Sequence, residues 1–274
     1  MGIIKGIEKV SKILMPLFFL LFLFLAVWVF FLPGSEKGYE FLFVPDWDML
    51  MRADTWVMAM GQAFFSLSIT GSGMIVYGAY LDKDVDIPKA SLRTACFDTI
   101  AAMLSGLAIM PAVFSYGIGA DRGPSLVFLT LPTVFQQMPM GQFFAVFFFL
   151  SVFFAGITSL INMLEAVSES WQKNFGITRN TAVCCVLSLA VGVFIEAEPK
   201  VGSWMDFVSV VIVPFGAVLG AVSIYYVLGW ERIKQELEIG HGKLSAGFGI
   251  AGRYIYVPLT VLVLILGFVY GGIG

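Results

Sequence analysis

The run ILMPLFFLLFLFLAVWVFFL, at residues 13–32, decides the class of fold. It has no charged residue, and about 20 such residues span the hydrocarbon core of a bilayer as a helix. A secretory signal peptide is the competing interpretation. The run is longer than the apolar region of such a peptide, however, and no A-x-A-like cleavage site follows it. The run therefore predicts a transmembrane helix.

The composition extends this conclusion to the whole chain. Of its 274 residues, 59% are hydrophobic and 13% are charged, whereas about a quarter of the residues of a soluble domain are charged. The net charge of −3 argues against binding to a nucleic acid, whose phosphates require basic residues. Cys96, Cys184 and Cys185 all lie in apolar runs, so we expect them to be free, buried thiols.

The apolar runs together predict an all-α integral membrane protein, with residues 1–274 forming a single membrane domain. About seven transmembrane helices are expected, at 13–32, 55–81, 87–117, 143–173, 180–195, 206–230 and 252–273. The connection at 119–142 contains Pro124, Pro132 and Pro139 and is too apolar for a solvated linker. We expect it to fold back on the bundle as an extracellular re-entrant loop.

The distribution of basic residues predicts the orientation in the cell membrane. If the N-terminus is cytoplasmic, all but four of the 16 Lys and Arg residues lie inside, the exceptions being Lys37, Arg52, Arg122 and Lys200. This arrangement satisfies the positive-inside rule. Seven spans then leave the C-terminus outside the cell.

Polar and small residues interrupt the second run. Ser66, Ser68 and Thr70 are followed by Gly71 and then by a further serine and glycine. Glycine and hydroxyl side chains weaken a helix interior, so we expect a discontinuous helix here. Its free backbone groups would need a cavity or a ligand, because lipid cannot satisfy them. The alternative is close helix packing through small residues.

The fourth run carries a polar stripe on one helical face, formed by Ala155, Thr158, Ser159, Asn162 and Glu165. In a Phe-rich helix this face must point into the bundle. Adjacent hydroxyls beside a carbonyl supply hard oxygen ligands for a small alkali cation. The alternative is ordinary hydrogen bonding between helices, worth about 0.6 kcal/mol per contact.

Asp98 lies in the third run, about 15 Å from the expected helix start at Asp86 and Pro88. That depth is near the bilayer midplane, where an ionised carboxylate costs at least about 2.5 kcal/mol unless it is paired. We expect a bound cation or a proton as its partner; the alternative is a protonated Asp hydrogen-bonded to a neighbour. Asp206, at the start of the sixth run, is by itself interpreted as an interfacial helix cap.

Four stretches carry a family resemblance. They are GQAFFSLS at 61–68 followed by YGAY at 77–80, GPSLVFLTLP at 123–132, FFAGITS at 153–159, and GIEK at 6–9 leading to Met15 and Pro16. In this order they resemble the sixth helix, fourth extracellular loop, eighth helix and fifth-helix entry of the neurotransmitter:sodium symporters. The resemblance implies helices five to eleven of a five-plus-five inverted-repeat fold, from a prokaryotic eleven-helix member, without helices one to four.

The resemblance also implies functional residues. A first sodium site would use Ser66 and Asp98. A second sodium site would use the carbonyl of Ala155 and the hydroxyls of Thr158 and Ser159. The residues implied for the substrate pocket and the gates are Phe65, Ser68, Gly71, Ser159 and Met163 for the pocket, Asp206 for the outer gate, and Tyr80 and Glu165 for the inner side.

Three departures from the family pattern matter. Where the family often has Asn, Asp98 places a fixed negative charge, which implies that chloride is not required. The stretch 69–73 shifts the usual glycine pattern, and Lys173 stands where an inner-gate acid is usual. The first helix, which contributes to both sodium sites in the family, lies outside this sequence.

We therefore expect the C-terminal part of a sodium-coupled symporter for a neutral amino acid, working by alternating access without a cofactor. One alternative is a truncated or frame-shifted fragment that does not transport. Another is one half of a split transporter, whose partner chain supplies helices one to four. An enzyme is not expected, because we find no nucleophile–base pair, metal-ligand spacing or phosphate loop.

Overall fold

The computed structural model describes residues 3–69, 72–117, 126–175, 181–195 and 198–270. Within these residues every regular element is helical. The α-helices are α1 (Ile3–Phe30), α2 (Glu36–Phe43), α3 (Ala53–Ser66), α4 (Ser72–Ala79), α5 (Ile87–Ser115), α6 (Leu131–Gln137), α7 (Gly141–Phe175), α8 (Thr181–Ile195), α9 (Glu198–Phe207), α10 (Val213–Val222), α11 (Trp230–His241), α12 (Ala246–Ala251) and α13 (Val257–Tyr270). A 3₁₀ turn covers Met49–Met51, and π-helical segments cover Leu126–Thr130, Val208–Ile212, Ser223–Gly229 and Gly252–Tyr256.

Among the described residues, five helical stretches are long and apolar enough to cross a membrane, namely Ser11–Phe30, Ile87–Ser115, Gly141–Gln172, Val213–His241 and Gly247–Val269. Two of the expected spans do not form a single helix of that kind in the described residues. The run 55–81 is divided between α3 and α4. Helix α8 has 15 residues, or about 22 Å, against a hydrocarbon core of about 30 Å. The number of seven spans thus stays a prediction.

The expected break in the second run is present in the backbone. Helix α3 ends at Ser66, and Ser68 has a φ of 52°, in the left-handed region that interrupts a helix. The amide of Ile69 turns back to donate to the carbonyl of Phe64. Helix α4 begins at Ser72. Thr70 and Gly71 lie outside the described residues.

Some helices begin before the apolar runs from which the spans were predicted. Helix α1 begins at Ile3, ten residues before the expected span, because polar residues can continue a helix outside the bilayer. Asp206 lies inside α9, which begins at Glu198. The interpretation of Asp206 as a helix cap is therefore wrong, because the residue lies within a helix and not at its start. Where the span 206–230 begins stays a prediction. The last expected span, 252–273, is already helical from Ala246.

The described chain divides into two compact units. The first unit comprises Met1–Asp46 and Thr99–Met163, and the second comprises Trp47–Asp98 and Leu164–Gly274. Helices α5 and α7 each contribute to both units. The first unit has a large aromatic core, in which Phe22 packs on Phe148 and Trp28 packs on Phe144. The second unit is centred on Phe64, Ala217 and Val263.

Part of the expected re-entrant loop packs into the core of the first unit. Residues 118–125 lie outside the described residues, but the remainder forms a π-helical segment followed by α6. Leu131, Val134 and Phe135 of α6 are buried in the aromatic core. The apolar character of this connection therefore reflects burial against the unit. Whether the connection is extracellular stays a prediction.

The three cysteines are free, but only one has the expected burial. Cys184 is buried, whereas Cys96 and Cys185 are exposed on the protein surface. The expectation of buried thiols was wrong for these two, because an apolar run in a membrane protein can face outward as well as inward. A residue with apolar neighbours in sequence is expected to contact apolar groups, and these can be lipid chains as well as the protein interior.

Candidate functional site

Ser66 and Asp98 meet in the second unit. The hydroxyl of Ser66 donates to Oδ2 of Asp98 over 2.5 Å. Ser66 is the last residue of α3, and the left-handed Ser68 follows it at the helix break. A carboxylate and a hydroxyl beside interrupted backbone can bind a small cation, because hard oxygen atoms are the ligands such cations prefer.

The start of α5 sets the height of Asp98 along its helix. Oδ1 of Asp86 accepts a hydrogen bond from the backbone amide of Lys89 over 3.0 Å. This is the contact of an N-cap residue, so the expected cap at Asp86 is confirmed. Asp98 lies eleven residues beyond Ile87, or about 16 Å along the helix axis.

The second predicted sodium site lies in α7, within the first unit. The hydroxyl of Thr158 donates to the carbonyl of Ala155 over 2.8 Å, and Thr158 is buried at 6% exposure. The two predicted ligand oxygens therefore lie side by side. Ser159 is on the exposed side of the same turn.

Tyr80 and Glu165, the two residues implied for the inner side, are in contact in the second unit. The Tyr80 hydroxyl donates to Oε1 of Glu165 over 2.7 Å, and Glu165 is buried at 4% exposure. Oε2 of Glu169 lies 3.3 Å from the same hydroxyl. Sequence reasoning did not assign Glu169, although its position four residues after Glu165 places both on one helical face.

The predicted substrate residues belong to both units. Phe65 and Ser68 flank the helix break of the second unit, and both are exposed. Met163 belongs to the first unit and is also exposed. Gly71 lies outside the described residues, as do the side chains of Asp206 and Lys173. The pocket and the outer gate therefore stay predictions.

A further polar contact in the second unit was not foreseen from the sequence. Nδ1 of His241, at the end of α11, lies 2.7 Å from Oδ1 of Asp86. The backbone amide of Lys89, and secondarily His241, hold the pKa of Asp86 below its ordinary value of 3.8. Gly240 lies so close to the Val85 carbonyl that a Cβ there would come within 2.2 Å of its oxygen. No local pattern links residues 155 positions apart.

The sequence also matches a known protein family. The model of the sodium:neurotransmitter symporter family matches residues 1–271. An uncharacterized sodium-dependent transporter of Bacillus subtilis is 33% identical over 98% of this chain and 63% of its own length. A second, from Haemophilus influenzae, is 30% identical over 97% of this chain and 61% of its own length.

A solved structure is also similar. The crystal structure of MhsT in complex with L-phenylalanine has a TM-score of 0.79 and 29% identity, over 96% of this chain and 63% of that chain. The chain thus spans a little over 60% of the length of these relatives. The family is one of sodium-coupled transporters and not of enzymes. The family match over nearly the whole sequence confirms the resemblance, and the chain belongs to the sodium:neurotransmitter symporter family.

Proposed function

We propose that this chain forms the C-terminal part of a sodium-coupled amino-acid symporter that works by alternating access. The observation that carries the proposal is the contact between Ser66 and Asp98 at the helix break. A carboxylate in a membrane-spanning helix requires a compensating partner, and the coupling ion supplies one. The family match supports sodium as that ion.

The first sodium site uses Ser66 and Asp98, and the second uses Ala155, Thr158 and Ser159. At the second site the Thr158 hydroxyl donates to the Ala155 carbonyl. Sodium binding turns the proton of this hydroxyl away, so that both oxygens face the ion. The contact thus holds two ligand oxygens together before the ion arrives, which lowers the entropy lost on binding.

Chloride is not required in this proposal, because Asp98 supplies a fixed negative charge beside the ion. A related glycine transporter of Xenopus laevis, 26% identical over 96% of this chain and 36% of its own length, is sodium- and chloride-dependent. Substitution at position 98 therefore tests the idea directly.

The substrate is a neutral, bulky amino acid bound by Phe65, Ser68, Gly71, Ser159 and Met163. Its support is that MhsT was solved with L-phenylalanine and that no charged residue belongs to the set. Asp206 acts at the outer gate. On the inner side, the hydrogen bond from Tyr80 to Glu165 braces the end of the broken helix.

In the split-transporter alternative, a partner chain supplies the helices equivalent to one to four. Support comes from the share of the relatives' length that this chain spans.

The N-terminus is cytoplasmic, and the C-terminus lies outside the cell membrane.

The test is uptake into liposomes under an inward sodium gradient, with and without co-expressed helices one to four. Saturable, sodium-dependent uptake of neutral amino acids only with both parts supports the proposal. Uptake with neither preparation, although both parts insert and associate, supports the alternative of a fragment without transport. Uptake independent of sodium contradicts the proposal.

A further inference from the structure

Arg253 lies in the π-helical segment Gly252–Tyr256 of the second unit, four residues before α13 begins. Residues 254–270 after it contain no charge. They span about 25 Å as a helix, close to the thickness of the hydrocarbon core. Arg253 is exposed. Its position in sequence therefore puts a guanidinium at the boundary between hydrocarbon and headgroups.

The neighbouring π-helical segment, Ser223–Gly229, reaches the same boundary. Charged residues follow it directly in α11, beginning with Glu231 and Arg232. Tyr225, Tyr226 and Trp230 lie at this end of the apolar stretch. Tyrosine and tryptophan concentrate at membrane interfaces, because their rings are apolar and their tips are polar. Both π-helical segments thus place the membrane–water interface at the same depth.

The two segments hold the guanidinium in a fixed place. The carbon of the Arg253 guanidinium lies 4.7 Å from the centre of the Tyr226 ring and 6.0 Å from that of Tyr254. Gly252 allows the two segments to come close together, since a Cβ at this position would come within 2.1 Å of the Tyr225 ring. A cation–π contact orients the guanidinium without neutralising its charge.

Arg253 lacks a carboxylate partner among the residues that the structure describes. Its contacts there are the two tyrosine rings and the Tyr226 hydroxyl, which donates to its backbone carbonyl over 3.4 Å. Beside it, the ring of Tyr254 and the side chain of Ile255 are exposed and offer apolar surface. The surface therefore combines one unneutralised cation with a face suited to acyl chains.

We propose that Arg253 and the tyrosines around it bind the phosphate of an anionic phospholipid. The planar guanidinium donates paired hydrogen bonds to the phosphate oxygens. The exposed faces of Tyr254 and Ile255 contact the upper part of an acyl chain. The lipid phosphate is then the counter-ion of Arg253, and basic side chains at membrane boundaries recognise anionic headgroups in this way.

The test is native mass spectrometry of the purified chain, together with any chain that co-purifies, after titration with phosphatidylglycerol or phosphatidylcholine. Wild-type protein should retain phosphatidylglycerol in preference to phosphatidylcholine. Arg253→Gln should lower its apparent affinity for phosphatidylglycerol about fivefold. Arg253→Lys should keep part of the preference, because the charge remains and the paired geometry is lost.

Arg232→Gln is the matched control, since Arg232 is also exposed but lies in α11, after Trp230. The Arg232→Gln variant should retain as much phosphatidylglycerol as the wild type. Equal retention by wild type and Arg253→Gln, or equal loss in both glutamine variants, overturns the proposal. Complete competition by millimolar inorganic phosphate also overturns it, because the site would then bind a free anion. Circular dichroism verifies that each variant keeps its helices.

Discussion

The hydroxyl of Ser66 lies 2.5 Å from Oδ2 of Asp98, although 32 residues separate the two in sequence. One residue ends α3 at the helix break, and the other lies well inside α5. The break gives Ser66 a position from which its oxygen reaches a carboxylate in a neighbouring helix. Charge, hydroxyl and interrupted backbone thus occur together in the second unit.

Asp98→Asn should weaken sodium coupling or make it depend on chloride. The substitution keeps the shape and removes the negative charge that we propose lies beside the ion. Charge-assisted contacts contribute about 1.5–3 kcal/mol, so the sodium concentration for half-maximal uptake should rise at least about tenfold. Uptake by the complete assembly is measured in sodium chloride and sodium gluconate. Wild-type sodium affinity without chloride would show that Asp98 is structural.

Thr158→Val should raise the sodium concentration for half-maximal uptake about fivefold to tenfold, because it removes one proposed ligand oxygen and keeps the shape. The matched control is Thr260→Val. Thr260 is also buried, and its hydroxyl donates to the carbonyl three residues earlier, that of Val257, over 2.7 Å. Thr260→Val should leave the sodium dependence of uptake unchanged. Equal effects of the two variants would mean that the first acts through helix stability alone.

Tyr80→Phe should lower the thermal unfolding midpoint by a few degrees, because buried Glu165 loses a hydrogen-bond donor, at a cost of about 1–3 kcal/mol. Glu169→Gln should have a smaller effect, since its oxygen is 3.3 Å from the Tyr80 hydroxyl against 2.7 Å for Glu165. Tyr116→Phe, in the first unit, is the control. A midpoint for Tyr80→Phe equal to that of the control would contradict the bracing role.

Gly240→Ala should destabilise the second unit even though alanine favours helices. Its Cβ would come within 2.2 Å of the Val85 oxygen, and overpacking of this kind costs about 1–3 kcal/mol. At Gly202 of α9 a Cβ meets nothing within 4 Å, so Gly202→Ala should be neutral or stabilising by up to about 1 kcal/mol. The two midpoints are compared by thermal unfolding in one detergent. Shifts of the same sign and size would refute the close approach.

Stability should fall in acid partly through Asp86. Its folded pKa lies below the ordinary 3.8, chiefly because the backbone amide of Lys89 binds its charged form. A lowered pKa contributes stability above the unfolded value, and that contribution is lost as the pH falls through the folded value. Between pH 6 and pH 3, Asp86→Asn should therefore lose less stability than the wild type. Parallel pH profiles would contradict this.

Local features of the sequence predicted much of this protein. Long apolar runs with few charges predicted the long helices, because unpaired charges are costly in lipid. Closely spaced serines and glycines predicted the break after Ser66, and Asp86 before Pro88 predicted the start of α5. The spacing of Thr158 and Ala155 brought their oxygens together within one helical turn. Each of these features depends on neighbours within about four residues.

Tertiary structure alone decided the contacts between distant residues. The apolar runs could not show that Cys185 faces outward while Cys184 is buried. Nothing in the sequence near Asp86 indicates His241, which is 155 residues away, and nothing near Gly252 indicates the ring of Tyr225. The physical reason is that helix formation depends on local hydrogen bonds and side-chain periodicity, whereas the pairing of helices depends on how complete surfaces pack.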